Sequence, residues 1–471
     1  MTQRCLPLAL LLPVLTTLSL PAHPAPDATS IAADAAAGRG QGADVSGAAA
    51  PGLTLRNCDL SGSNWSRADL RGASFTMLSL RGGDLSQANL RGAVLAGVDL
   101  TEANLVGVDL SGAILRGVLL EGATMAACRT DGALFDHPLL SATGASHLTA
   151  LRSALQTATG VALSRAQVAA LSGDAFTFVY NTQDATFWPG QPFIANPLLA
   201  APAALGLEAK LRQEYQAEKL LMDEKESAKG VQMLPVRMPA AEQALSGGGP
   251  VWAVVAGRQV EDKHTYFNLL VPLLGTVILR KDELTRAWAE QADTLEPVGA
   301  VPIARHALLT IAARPAVASP ADQLRAAVRQ AAAVITDKRT YGPLVPGEAG
   351  LLRLAGDLRV AAEKNDWEAA RRLGAWQHYP LQCLRGARKL AAEYLAGAAE
   401  AAEGTARGQL QEAANVYQLE LSALDRWPLL PSEAQTPPAG WQDLYRQAAE
   451  LVAGLAAAEG KAAQAMTAAI Q

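Results

Sequence analysis

The sequence predicts a multidomain protein: a β-helix over residues 51–137, an α+β domain over 138–318 and an all-α region over 319–471. Three observations carry this. Large apolar residues recur at every fifth position from Leu60. Strand-like apolar runs follow helical periods between 140 and 318. From about residue 320 the chain is Ala-rich with helical periodicity.

Residues 1–25 read as a secretory signal. Arg4 supplies the positive start, and Leu6 to Leu20 is an apolar stretch too short to span a bilayer. Leu20-Pro21-Ala22 and His23-Pro24-Ala25 are candidate cleavage sites, and Cys5 precedes the apolar core, where a lipid anchor does not fit. The expected location is periplasmic or secreted, with no membrane span after cleavage. Residues 26–50, rich in Ala, Gly and Asp, read as a flexible linker. The net charge is −5 and no basic block stands out, so nucleic acid is not an expected partner.

A period of five fits neither helix nor strand. The large column runs Leu60, Trp65, Leu70, Phe75, Leu80 and onward to Phe135, broken only by Thr130. Two residues earlier lies a smaller residue, such as Cys58, Ala68, Ala88, Val98 or Cys128. Asp or Asn often falls between them (Asp59, Asn64, Asp69, Asn89, Asp109), and Gly two after the centre (Gly62, Gly72, Gly82, Gly92). Ala88-Asn89-Leu90-Arg91-Gly92 shows every feature. This pattern resembles the pentapeptide-repeat family. The resemblance implies a right-handed quadrilateral parallel β-helix with four repeats per coil, small and large residues inward and the other three positions in solvent.

On a 20-residue coil, Leu60, Leu80, Leu100 and Leu120 stack on one face, and Phe75, Leu95, Leu115 and Phe135 on another. Successive coils lie about 4.8 Å apart. Cys58 and Cys128 are 70 residues apart, three and a half coils, so no disulfide is expected between them. Outside, Arg71 and Arg91 stack beside Asp69, Asn89 and Asp109 and are candidate binding residues. Some members of the family are acidic DNA mimics that inhibit topoisomerase; export and a mixed surface argue against that role.

Leu148, Leu151, Leu155, Val168 and Leu171 are spaced for amphipathic helices within 138–171. Phe187-Trp188-Pro189-Gly190 reads as an aromatic loop in which Phe187 and Trp188 are candidate ligand contacts. A long charged helix is expected over 205–228. Gly247-Gly-Gly-Pro250 opens a β-rich stretch, where Val251, Ala253 and Val255 alternate with Trp252 and Val254. Asn268 to Leu279 is a further apolar run, and 303–313 is another strand candidate. Beyond 320, Gly342 and Pro343 separate helical segments, and four prolines (Pro428, Pro431, Pro437, Pro438) mark a loop before a last helix at 440–470.

This order, with Leu171-Ser172-Gly173-Asp174-Ala175-Phe176, Arg388 to Leu395 and Ala413 to Tyr417, resembles the N-terminal-domain-like group of the butirosin-biosynthesis acyltransferase. The resemblance implies a papain-like fold, with a cysteine opening a helix and a histidine on a following sheet. The helix should open near Gly144-Ala145-Ser146-His147, yet no cysteine occurs between 128 and 383. A helix N-terminus favours a thiolate, whereas a serine gains little without a strong adjacent base. Ser146 with His264 as base is the candidate catalytic pair. The same residues serve equally as a helix N-cap and a strand-edge side chain.

No HExxH, GxxxxGK[ST], CxxC or Rossmann fingerprint occurs, so neither metal nor cofactor is expected. The sequence therefore points to an exported, non-catalytic binding or scaffold protein with a degenerate papain-like domain. Its expected partner is a protein or glycan of the cell envelope. The alternatives are a hydrolase or acyltransferase with a non-cysteine nucleophile, and a small-ligand binding protein using the aromatic loop.

Overall fold

The computed structural model describes residues 28–135 (except 117 and 121), 146–183, 185, 187–189, 196–213, 230–237, 250–272, 274–289, 307–313, 317–374, 379–428, 430–432 and 434–471. The signal reading of residues 1–25 lies outside them.

The repeat forms a four-sided coil with a 20-residue turn. On one side β1 (Thr54–Arg56), β2 (Ser74–Thr76), β3 (Val94–Ala96), β4 (Ile114–Arg116) and β5 (Leu134–Phe135) form a parallel sheet. Leu55, Phe75, Leu95, Leu115 and Phe135 are in register. Isolated parallel bridges build the other sides, joining Asp44, Asn64, Asp84 and Asn104; Ala49, Asp69, Asn89 and Asp109; and Asp59, Ser79, Asp99 and Leu119.

Physical reasons for the motif are visible at each corner. The residue two after the centre takes positive φ, as at Gly62, Gly72, Gly82 and Gly92, so glycine recurs there. The Asp or Asn before the centre turns its Oδ1 to the backbone N–H two residues on, as from Asp84 to Ser86 and Asp109 to Ser111. Both inward columns are buried and fill the interior, Leu85, Leu90, Leu95 and Val98 completely. Ser63 replaces the usual Ala because its hydroxyl accepts the Trp65 indole N–H at 2.7 Å.

The linker expected over 26–50 gives way to ordered structure from residue 28. Helix α1 (Ala28–Ala36) packs Ile31 and Ala35 into the coil core. Val45, Ala48 and Ala50 then begin the inward columns, and Asp44 and Ala49 bridge to the next coil. Small side chains hid this half-coil from the periodicity. Gly40 occupies the column where a Cβ would overlap Leu60.

After the coil come α2 (Ser146–Thr159) and α3 (Arg165–Ser172). α3 opens on a Ser164/Gln167 capping box and ends at Gly173, with φ +86°. A 3-10 turn, Asp174–Phe176, leads into β6 (Phe178–Asn181). β7 (Phe187–Pro189) pairs with β6, so the expected aromatic loop is a strand here: its backbone is held by the ladder. α4 (Pro197–Ala204) follows.

β8 (Ala209–Gln213), β9 (Gly230–Arg237), β10 (Pro250–Glu261), β11 (His264–Val271), β12 (Gly275–Arg280) and β13 (Ala307–Ala312) form an antiparallel sheet in the order β12-β11-β10-β9-β13-β8. The charged helix expected over 205–228 is thus strand at 209–213, where pairing with β13 overrides helix propensity, and 214–229 lies outside the described residues. The alternation in β10 splits its faces. Trp252 and Val254 join the core that contains α2, while Val251 and Ala253 join the core of the coil with Leu284 and Trp288 of α5 (Lys281–Ala289).

The rest is helical: α6 (Pro320–Ile335), α7 (Gly347–Glu363), α8 (Trp367–Gly374), α9 (Tyr379–Ala401), α10 (Gly404–Leu424) and α11 (Trp441–Ala469). β14 (Leu344–Pro346), at the break marked by Gly342 and Pro343, pairs with β6. Leu148, Leu155 and Trp252 share one core with Leu390, Tyr417 and Met466, so the regions 138–318 and 319–471 are packed as one body.

Candidate binding groove

The two expected catalytic residues occupy different settings. Ser146 opens α2, and its side chain lies outside the described ones. His264 is exposed beside Asp262 and Lys263 at the tip of the β10–β11 hairpin, paired through its backbone with Glu261. Phe187 and Trp188 lie on β7, with side chains outside the described ones. Arg71 grips Asp69 through two hydrogen bonds of 2.8 and 2.7 Å, which hold that carboxyl below its ordinary range. Arg91 stacks one coil further on, its carbonyl accepting from Gly72.

Sequence reasoning missed the neighbour of Ser146. His147 is buried, with Nε2 2.8 Å from Asp174 Oδ2, and Ser172 Oγ donates to the same oxygen at 3.0 Å. The residue types are those of a hydrolytic triad, but here the carboxylate takes both partners. The serine hydroxyl is directed at Asp174, so this arrangement gives no nucleophile–base contact there.

The other patches of the second resemblance converge on the same turn. Arg388, fully buried on α9, donates from Nη1 to the carbonyls of Ala175 and Thr177 at 3.1 and 3.5 Å. It forms ion pairs with Glu420 and Glu459, and Tyr417 Oη donates to Glu459 at 3.1 Å. Burial pushes both carboxyls up, and Glu459 raises Glu420 further. One guanidinium facing two buried carboxylates is an arrangement in which a retained proton lowers the cost. These patches therefore share a structural site: they lock the turn after α3 to α9, α10 and α11.

An open site lies where the coil meets the helices. A groove of about 740 Å³ runs between the side carrying Asp59, Ser79, Asp99 and Leu119 and the facing sides of α9 and α10. α9 contributes Arg385, Lys389 and Glu393 at successive turns, and α10 contributes Gln418, Leu421 and Ser422, with Asp425 at its C-cap. Arg385 pairs with Asp425, and Arg81 of the coil reaches Glu393 at 3.5 Å. Burial raises the Asp59 carboxyl, but hydrogen bonds from Ser61 and Gln41, with Lys389 nearby, leave it below its ordinary range. Burial pushes the Cys58 thiol up, which disfavours a reactive thiolate at the groove wall. Cys128 is free as well, its thiol pushed up to about 11 by burial. No cluster of His, Cys, Asp and Glu able to hold a metal occurs among the described residues.

Known proteins resemble the coil. The family described as pentapeptide repeats matches in 8 copies over residues 52–87 and 84–122. A pentapeptide-repeat protein of the Arabidopsis thaliana thylakoid lumen is 35% identical, over 19% of this chain and 66% of its own, with TM-score 0.14. Rfr23 from the cyanobacterium Cyanothece is 34% identical, over 18% and 65%, with TM-score 0.11. HetL from the cyanobacterium Nostoc, involved in regulating heterocyst differentiation, is 23% identical, over 20% and 58%, with TM-score 0.12. The chain thus spans just under two thirds of the length of the first two of these structures. No curated protein matches it. With a 20-residue register on four sides and the family's motif at each corner, residues 52–122 are a pentapeptide-repeat segment, and through it this chain carries that family's β-helix.

Proposed function

We propose that the protein is an exported, non-catalytic binding or scaffold protein of the cell envelope, in which a pentapeptide coil is fused to a degenerate papain-like body. The observation that carries this reading is the groove of about 740 Å³ built jointly by coil and helices. The coil interior is filled, so what the coil offers a partner is its outer surface. The papain-like reading is supported by α2, opened by Ser146, lying against an antiparallel sheet whose β11 begins at His264. Its degeneracy is supported by the missing cysteine and by His264 at an exposed hairpin tip. Export is supported by Arg4 and the apolar stretch Leu6 to Leu20.

Two measurements test it. The full chain and Ser146→Ala, treated with a fluorophosphonate probe, should show no Ser146-dependent labelling; labelling lost in the variant would restore the hydrolase reading. A pull-down from envelope extract should retain a partner that is lost when Arg71 and Arg91 are both replaced by Glu or when the groove is blocked. Catalytic turnover with no retained partner would overturn the binding reading.

A further inference from the structure

We propose that the groove between the coil and helices α9 and α10 is a saccharide site, taking a short, hydroxyl-rich oligosaccharide laid along the coil axis. This rests on the binding reading and names its ligand class.

Size comes first. A volume of about 740 Å³ lies within the roughly 300–1,000 Å³ typical of small-ligand sites. Charge comes next. The lining holds four carboxylates (Asp59, Asp99, Glu393, Asp425) against two cations, Arg385 and Lys389. Arg385 is already paired with Asp425. Arg81 pairs with Glu393 and Lys389 lies near Asp59, so each nearby cation is already engaged and the wall offers no surplus positive charge to a phosphate or polyanion.

The backbone closes one route to a peptide. An extended peptide can bind by adding to a free strand edge. On this side of the coil the bridges Asp59 to Ser79, Ser79 to Asp99 and Asp99 to Leu119 already occupy the ladder. Across the groove the backbone of α9 and α10 is helical. Recognition therefore falls to side chains: carboxylates, the amides of Asn57 and Gln418, the hydroxyls of Ser79 and Ser422, and the Lys389 ammonium. Each sugar hydroxyl is both donor and acceptor and suits that mixture. Met77, Leu119 and Leu421, each half-buried, supply apolar surface for the C–H faces of the rings. Asp59, Ser79 and Asp99 repeat a polar side chain on three successive coils, about one strand spacing or ~4.8 Å apart. This favours a chain of similar units over a single compact ligand.

The test is a glycan array of neutral, N-acetylated and acidic oligosaccharides, probed with the full chain and followed by titration calorimetry of the best binder. Retention of at least one neutral or N-acetylated oligosaccharide is expected. Ser422→Trp, on an exposed helical position, should block the groove and weaken binding tenfold or more while leaving the thermal melt unchanged. Asp99→Ala should weaken it as well. Leu419→Gln, at a side chain 70% exposed and outside the groove, should not. No retained glycan, or retention indifferent to Ser422→Trp, overturns the saccharide site. Preference for acidic glycans overturns the charge argument. If a protein partner is still retained from envelope extract while the array is blank, this inference fails and the binding reading stands.

Discussion

At the scale of single residues, buried charge dominates what can be tested. Arg388 neutralises part of the Glu420–Glu459 pair, so Arg388→Met leaves carboxylates buried without a cation. We expect a loss of about 3–5 kcal/mol, measured by urea unfolding at neutral pH. Glu420 behaves in the opposite sense. Its pKa is higher in the folded protein than in the unfolded chain, so its stabilising share is complete below the unfolded value and fades as pH rises. Glu420→Gln should therefore flatten the fall in stability as pH rises above the unfolded carboxyl value, read by urea unfolding across that range. Asp337 is the reverse case, because the Arg339 guanidinium lowers its carboxyl to about 2. Its contribution is present above the unfolded value, about 3.9, and is lost as pH falls toward 2. Melts of Asp337→Asn should show a shallower acid limb than wild type over that window.

At the scale of the element, the coil is a set of identical corners. Gly72 has φ +66° and open space around its Cα, so Gly72→Ala is a test of backbone strain alone. The expected cost is about 1–2 kcal/mol. Leu95, fully buried in the ladder, should cost about 2–5 kcal/mol on replacement by Ala. Leu134, 63% exposed at the last coil, should tolerate Ser within about 0.5 kcal/mol. Thermal or urea unfolding of the three variants ranks them. The period of five made this element legible, because its five-residue spacing is carried by large side chains at the centre. Where those side chains shrink to Val45 and Ala50, the same geometry continued unread. β7 and β8 were misread for a different reason: their strand state comes from partners β6 and β13, distant in sequence or set by the ladder rather than by local pattern.

At the scale of the whole molecule, coil and body meet through charge as well as apolar packing. Arg81 lies 3.5 Å from Glu393 on α9 and 4.0 Å from Glu102, which is itself 3.5 Å from Arg152 on α2. Reversing Arg81→Glu or Glu393→Arg alone should destabilise modestly, by up to ~1 kcal/mol for partly exposed pairs. The double reversal should recover part of that loss, and added salt should shrink the coupling. Differential scanning calorimetry of the four proteins at two salt concentrations measures it.

The sequence by itself determined the coil, its register and its corner chemistry, because every coil repeats one local rule and contacts only the coils beside it. It also marked Leu171–Phe176, Arg388–Leu395 and Ala413–Tyr417 as related. What joins them is the turn at Ala175, which receives Arg388 from 213 residues away. Only the tertiary structure decided that these patches make a buried lock, that Asp174 engages His147, and that the coil and α9–α10 enclose a groove. Burial, pairing and enclosure depend on which distant segments come together, and no local period in the chain records that.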